Sequence, residues 1–419
     1  MVSLFRPGSW LRTITGALVF LSSFLAVASA VNVCSLPSLV LLVFSRKAYR
    51  TYIRYTQQVF ASWIVIVTWA CAGPIELVLT GDYDRLAKEQ QVVIMANHQT
   101  YTDWWWIWLL ARRSYSHGDL FIMLMDILKY IPIAGQGMWF FDFIFLKRKW
   151  ALDKQLIHTR MTNLRKDGLP YWLIIFPEGT LNTPPGKKLS NEYAKKMDIS
   201  PHPVHVLLPR STGLQYCCTN LQPELQTLYD LTIGYSGISA DEIPYYKHLP
   251  STVYFAGNGP RRVYIHVKRF DLASLPGMSP PEAKESSSSI RKSRNNNNVS
   301  TSNGTHKRHT TNNTSTTTTK TTAETEDEER KESFNLWVRD RFYEKDAKLV
   351  DFFERGEFRH ETGTARKGDV TVIKIIPTLR DWLFVTAACS VLWFCSLALL
   401  ATLIHQFWSA SEGWSMMGL

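Results

Sequence analysis

The stretch Val92-Val93-Ile94-Met95-Ala96-Asn97-His98-Gln99-Thr100-Tyr101-Thr102-Asp103 decides how this chain reads. An apolar β-rich run stops at Asn97, polar residues follow, and a tryptophan-rich helical pattern begins at Asp103. That is strand, turn, helix, with His98 at the strand's C-terminal end, where open α/β sheets place their sites. On an ideal helix, residues five apart point about 140° apart. His98 and Asp103 therefore meet only if His98 lies in the turn. Asp103 would then accept a hydrogen bond from one ring nitrogen and leave the other free as a base.

Working outward, runs at Gln91–Ala96, Phe143–Leu146, Trp172–Phe176, Val204–Leu208, Leu228–Tyr235 and Val263–Phe270 read as strands. They alternate with helical patterns near Asp103–Arg113, Leu152–Lys166 and Ser190–Lys196. Strands separated by helices predict an α/β sheet flanked by helices, one domain over 85–278. From Ser279 to Lys331 the chain is rich in Ser, Asn and Thr and ends in acidic residues, Glu324 to Glu329. It holds too little apolar surface to order itself and reads as a disordered insert. Phe334–Phe353 carries apolar residues at helical spacing and reads as a helix returning to the core, within a connection over 332–380.

Three apolar stretches can meet lipid. Thr13–Ser45 has no charged residue and, as one helix, would run roughly 50 Å at 1.5 Å per residue, so it must tilt strongly, break near Pro37 or fold back. Arg6, Arg12, the apolar run and Ala28-Ser29-Ala30 also fit a signal peptide, but the run continues to Phe44 instead of ending at Ala30. Tyr55–Ile75 is the second stretch and Trp382–Ser411 the third. These set an N-terminal membrane region over 1–84 and a C-terminal transmembrane segment over 381–419. Arg366, Lys367, Lys374 and Arg380 precede the third stretch and only Glu412 follows it, which puts the middle region in the cytosol. Arg46, Lys47, Arg50 and Arg54 lie between the first two, so a cytosolic middle region requires the second stretch to be re-entrant or interfacial.

Composition fits this. Hydrophobic residues make up 45% and aromatics 13% of the 419 residues, and the formal net charge is +11. Beside apolar segments, that excess suits an anionic membrane surface or an anionic substrate better than nucleic acid. The six cysteines form no C-x-x-C pair and no metal-spaced cluster, which predicts reduced thiols and no metal.

Further chemistry-bearing blocks follow in order. Gly135-Gln136-Gly137 leads to Phe145-Leu146-Lys147-Arg148, where adjacent Lys147 and Arg148 suit a phosphate. Phe176-Pro177-Glu178-Gly179-Thr180 breaks a buried strand, where Gly179 permits close backbone approach and Glu178 and Thr180 are candidates to bind the glycerol portion of a substrate. Another run breaks at Pro209. The H-x4-D spacing recurs at His266 and Asp271, but there the alternation of Val263, Ile265 and Val267 turns His266 toward the opposite, wetter face. A serine hydrolase would need G-x-S-x-G; Gly234-Tyr235-Ser236-Gly237 fails that pattern.

Together Asn97-His98-x4-Asp103, Gly135 with Phe145-x-x-Arg148, Phe176-Pro177-Glu178-Gly179-Thr180 and Pro209 resemble the glycerophospholipid acyltransferase family. The stretch Trp337–Asp346 looks like the branch with lysocardiolipin and lysophosphatidylinositol acyltransferases, and Leu181 stands where many lysophosphatidic acid enzymes have Arg. The resemblance implies a glycerolipid-acyltransferase-type sheet and direct transfer of an acyl group from acyl-CoA to a lysophospholipid hydroxyl, lysophosphatidic acid first among acceptors. It implies His98 as base, Asp103 as its orienting partner, Arg148 and Lys147 on the acceptor phosphate, and Glu178 and Gly179 lining the acceptor pocket. It implies no cofactor beyond the acyl-CoA co-substrate, and an endoplasmic reticulum membrane setting. The tryptophans Trp104, Trp105, Trp106 and Trp108 are candidates to line an acyl path or seat the domain at the interface. A non-catalytic membrane scaffold would leave the four ordered blocks unexplained.

Overall fold

A computed structural model describes residues 8–278, 315–358 and 370–416. Its strands are β1 (Glu76–Gly81), β2 (Gln91–Ala96), β3 (Leu120–Met125), β4 (Ile144–Leu146), β5 (Tyr171–Ile175), β6 (Thr227–Tyr235), β7 (Arg262–Asp271) and β8 (Val370–Lys374). They form one sheet in the order β4-β3-β5-β2-β6-β7-β1-β8. The block from β4 to β6 is parallel, β7 runs antiparallel to β6 and parallel to β1, and β8 closes the edge antiparallel to β1.

The helices are α1 (Trp10–Ser35), α2 (Ser38–Phe44), α3 (Arg46–Val67), α4 (Tyr83–Leu86), α5 (Asp103–Arg113), α6 (Ala134–Phe140), α7 (Trp150–Asp167), α8 (Pro184–Lys196), α9 (Thr212–Leu221), α10 (Pro244–Lys247), α11 (Ser315–Arg355) and α12 (Leu379–Met416). Both faces of the sheet are covered, as a parallel sheet requires. Alternate residues of β2 go to opposite layers: Val92, Ile94 and Ala96 pack with Ile64 of α3 and Trp106 of α5, whereas Val93 and Met95 pack with Met161 of α7, Leu214 of α9 and Phe342 of α11.

That second cover corrects the expectation for His266. It is 3% exposed, bonds Thr80 through Nδ1 at 3.0 Å, and has the Phe358 ring 6.1 Å away. Alternation correctly turned it to the other face, but that face is not wet, because the chain beyond the insert folds over it.

Other differences have physical causes. Val204–Leu208 is not a strand. Its amides go to side chains, those of Val204, His205 and Val206 to Asp346, Leu207's to Glu178 and Leu208's to Ser190. The sheet begins at β1, inside the stretch assigned to the membrane region, and takes a last strand, β8, from the connection before α12. Most of the stretch read as a disordered insert, 279–314, lies outside the described residues; its end, 315–331, is the start of α11. There Arg330 pairs with Glu326 and Lys331 with Asp327 at i,i+4 spacing, and Phe334 anchors the helix in the core, so propagation extends it backwards.

The first apolar stretch breaks at Leu36-Pro37 between α1 and α2. Helix α1 touches the α/β domain at both ends. The Gly8 amide donates to Ala256 O at 2.9 Å, and Gly16 lies so close to Phe255 that a Cβ would sit 2.2 Å from its carbonyl oxygen. At the far end Asn32 donates to Ile133 O at 2.8 Å. Between them Trp10, Leu18, Val19, Leu21 and Leu25 remain exposed. Helix α3, which carries the second stretch as far as Val67, is packed beneath α1. Arg46 and Arg50 pair with Asp142, and Arg54 pairs with Asp119, so three of the four basic residues taken as a topology signal fasten the helix to the domain instead. Among the described residues, two helical stretches, Trp10–Phe44 and Leu379–Leu403, are long and apolar enough to cross a membrane, and the second is almost entirely exposed.

Candidate active site

The C-terminal ends of β2, β4, β5 and β6 lie along one edge of the sheet; the first three lead into sequence blocks and β6 brings Tyr235. At the end of β2, Asn97 is fully buried and its side-chain amide acts as a surrogate backbone. It donates to Ile233 O at 3.0 Å and accepts from Ile233 N at 2.8 Å, continuing the ladder onto β6 while the main chain turns away.

His98 follows in the turn. Its amide donates to Glu178 Oε1 at 2.8 Å, and its carbonyl accepts from the Asn182 amide at 2.9 Å. The ring stacks on Phe176 at 4.2 Å with an 18° interplanar angle, and Nδ1 lies 2.8 Å from Asp103 Oδ2. A carboxylate facing Nδ1 selects the Nδ1–H tautomer, so Nε2 carries the lone pair. No described residue bonds Nε2, and the side chain is 20% exposed.

Asp103 opens α5 and is fully buried. A buried carboxylate needs donors. Here Oδ2 also accepts from the Gln99 amide at 2.6 Å and the Thr100 amide at 2.9 Å, while Oδ1 accepts from Thr100 Oγ1 at 2.9 Å and from the Tyr235 hydroxyl. Tyr235 comes from the end of β6. Burial, then the charge of Asp103, pushes its phenol well above the ordinary range and keeps it a donor. Tyr235, Gln99 and Asn182 escaped the sequence reading: a tyrosine inside an apolar strand carries no local mark of a polar task.

Arg148 sits beyond β4 with φ +60°, a left-handed backbone that non-glycine residues seldom adopt. The flanking amides impose it. Asp153 in the first turn of α7 accepts from the Lys147 and Lys149 amides at 2.9 and 3.0 Å. This turns the exposed Arg148 side chain onto Gly179 O at 2.9 Å, next to the block that holds His98. Lys147 is exposed beside it.

Glu178 is placed differently from the sequence expectation of a pocket-lining group. It is 4% exposed, and its two oxygens bind the amides of His98 and Leu207. Burial pushes its carboxyl well above the usual range, against the pull of those two amides and the Lys345 charge. Glu178 therefore holds the His98 turn rather than facing a ligand. Gly179 supplies the φ of +67° that closes the tight turn, its amide donating to Phe176 O at 3.0 Å. Thr180 is half-buried beside it. Pro177 O accepts from the Arg210 amide at 2.8 Å, joining this turn to the buried Pro209.

Gly135 and Phe145 serve packing. A Cβ on Gly135 would lie 2.2 Å from Lys129 O, and Phe145 is buried in β4 opposite Leu124. Trp105, Trp106 and Trp108 are core residues, with Trp105 between Trp63 of α3 and Tyr254, while Trp104 is half-buried. Asp271 is exposed at the end of β7, five positions along an extended strand from buried His266, so the second H-x4-D pair forms no dyad.

A family model described as Acyltransferase matches residues 79–229, from within β1 to within β6. Over 217 residues the chain is 35% identical to a 2-acyl-1-lysophosphatidylinositol acyltransferase of Saccharomyces cerevisiae, covering 44% of this chain and 54% of that protein. Over 246 residues it is 32% identical to an uncharacterised acyltransferase of Schizosaccharomyces pombe, covering 55% and 69%. It is 29% identical over 261 residues to a 1-acyl-sn-glycerol-3-phosphate acyltransferase 2 of Arabidopsis thaliana, covering 62% and 64%. The matched stretch thus spans about half to two-thirds of these relatives' length. It contains the His98–Asp103 dyad, the Arg148 turn and the Glu178 clamp, and with these relatives it establishes that the chain belongs to the glycerolipid acyltransferase family.

Proposed function

We propose that this protein transfers a fatty acyl group from acyl-CoA to a free hydroxyl of a lysophospholipid at a membrane surface. The observation that carries this reading is His98, held by Asp103 through Nδ1 with Nε2 bonded by no described residue, beside an arginine turned toward the same loop. Nε2 takes the proton of the acceptor hydroxyl as its oxygen attacks the thioester carbon. The carbon–sulfur bond then breaks, and the imidazolium returns the proton to the CoA thiolate. Asp103 stabilises the imidazolium between those steps. No covalent acyl-enzyme is needed. Positioned base catalysis of this kind supplies about 10²–10⁴-fold. Arg148 binds the acceptor phosphate as a charged, two-pronged donor.

The membrane seating we propose rests on α1 and α12. A helix fastened to the domain at both ends lies along it and cannot carry its length away across a bilayer. We therefore read α1, over α3, as lying in the plane of one leaflet with Leu18, Val19, Leu21 and Leu25 in lipid, and α12 as the crossing segment. The site then opens to the side from which a lysophospholipid arrives by lateral diffusion and acyl-CoA from the cytosol, at the endoplasmic reticulum.

The acceptor we place first is lysophosphatidic acid. Lysophosphatidylinositol is the second reading, supported by the name of the 35% identical yeast relative and by Leu181 after the third block. Purified protein assayed with one acyl-CoA against a panel of lysophospholipids, with His98→Ala as control, tests the proposal. Acyl-CoA-dependent, His98-dependent turnover of a lysophospholipid is expected; none with any acceptor would sink it.

A further inference from the structure

The His98 turn is held from outside the family-matched region. One carboxylate of α11, Asp346, gathers three successive amides: Val204 at 3.0 Å, His205 at 2.6 Å and Val206 at 3.2 Å. This segment is the apolar run that failed to become a strand, so Asp346 supplies the acceptors that a neighbouring strand would have supplied. The segment so fixed holds the catalytic turn by three separate bonds. His205 O accepts from Gln99 Nε2 at 2.8 Å and from Asn182 Nδ2 at 2.6 Å, and the Leu207 amide donates to Glu178 at 3.1 Å. Each of those three partners adjoins or grips His98. Gln99 follows it in sequence, the Asn182 amide donates to its carbonyl, and Glu178 accepts from its amide.

The neighbouring residue fixes the helix itself. Lys345 is 1% exposed, pairs with Asp230 of β6, and donates to Leu231 O at 2.6 Å. Adjacent helical residues point about 100° apart, so Lys345 reaches the sheet floor while Asp346 reaches the 204–206 amides. An arrangement of a buried lysine and a three-amide carboxylate is more than packing requires, since Phe334, Val338 and Phe342 already bury this helix.

We propose that Asp346 is a positioning residue for His98: α11 completes the active site by holding the 204–207 segment, which in turn holds both the amide and the carbonyl of His98. The proposal rests on the reading of His98 as the base. Residue 346 lies far beyond residue 229, so the minimal matched domain lacks one wall of its own catalytic turn.

The test uses the full-length protein in detergent, comparing wild type, Asp346→Asn and Asp346→Ala. Hydrogen exchange is measured for peptides spanning 97–103 and 204–207 against the remainder of the chain, and turnover is measured with acyl-CoA and a lysophospholipid. Asp346→Ala is expected to speed exchange at both peptides about tenfold or more while the other segments hold. Its kcat is expected to fall about tenfold or more, with the acyl-CoA KM within about threefold. Asp346→Asn, which keeps one oxygen acceptor, is expected to lie between. A uniform rise in exchange across the chain, or a kcat within twofold of wild type, overturns the proposal by reducing Asp346 to ordinary stabilisation. Should Asp346→Ala not accumulate folded, Asp346→Asn carries the test: selective exchange at 97–103 and 204–207 supports the proposal, and no selective change overturns it. Wild-type protein without turnover on any lysophospholipid would count against the proposed function, while the exchange pattern would still decide whether Asp346 holds the turn.

Discussion

At the residue scale, two histidines with the same H-x4-D spacing separate by environment. His98 is a turn residue with a stacked ring and one nitrogen on a buried carboxylate; His266 is a buried strand residue bonded to Thr80 beside Phe358. His98→Ala is expected to abolish turnover with expression and thermal stability near wild type. His266→Ala is expected to do the reverse, losing about 1–3 kcal/mol of stability through a broken buried hydrogen bond while kcat per folded molecule stays close to normal. Compared on folded protein, the two should differ at least about a hundredfold in turnover; equal rates would remove His98 from the mechanism. Arg148 gives a second residue-scale outcome. Losing a charge-assisted phosphate contact costs about 1.5–3 kcal/mol, so Arg148→Ala should raise the acceptor KM about tenfold or more and leave the acyl-CoA KM nearly unchanged. An effect confined to the acyl-CoA KM would reassign Arg148 to the CoA phosphates.

At the element scale, α1 is the decisive helix. The proposal that it lies in the plane of one leaflet rests on its apolar outward face between two domain contacts. Leu21→Glu, on that exposed face, is expected to leave the fold intact but to reduce sedimentation with anionic vesicles once α12 is removed from both compared proteins. Unchanged vesicle binding would show that α1 does not meet lipid. The same scale shows what Arg46, Arg50 and Arg54 do in the fold. They recur every four residues along one face of α3 and meet Asp142 and Asp119 there.

At the scale of the whole molecule, the described residues on either side of 279–314 are already joined. Gly277 fits against the Arg330 carbonyl with no room for a Cβ, and Gln215 donates to Gly277 O and Arg330 O at 3.5 and 3.3 Å. Deleting Ser286–Thr322 is therefore expected to keep the enzyme folded and active, read by turnover and melting temperature; loss of folded protein would show that this stretch contributes packing. Global stability should also depend on pH through buried histidines. Burial lowers His117 and His248 to about 4 from the ordinary 6.5. In that window the unfolded chain binds protons that the folded chain does not, so the stability they contribute is complete above about 6.5 and is lost as pH falls toward 4. Asp119, raised to about 6 by burial despite Arg54, works the opposite way, binding its proton more tightly when folded. His248→Phe should therefore lose less melting temperature between pH 7 and pH 5 than wild type does; an equal loss would mean that His248 does not control this slope.

What the sequence by itself determined were the features written in local patterns. Apolar runs placed β2 residue for residue, and β4 to β7 to within a residue or two at each end. Helical spacing placed α5 and α7, Pro37 marked the break in the first apolar stretch, and the strand–turn–helix around His98 and Asp103 identified the dyad. The tertiary structure alone decided which polar groups of the motifs stay free and which are spent holding the frame. Glu178 and Asn97 stand inside conspicuous motifs yet bind backbone amides and carbonyls, while Tyr235, Asn182 and Asp346 bond Asp103 or the 204–206 segment from places that no motif marks. The reason is that hydrogen bonds between segments far apart in sequence leave no periodicity. A strand and a strand-like loop have the same apolar pattern, and what separates Val204–Leu208 from a true strand is which acceptors the fold brings to its amides.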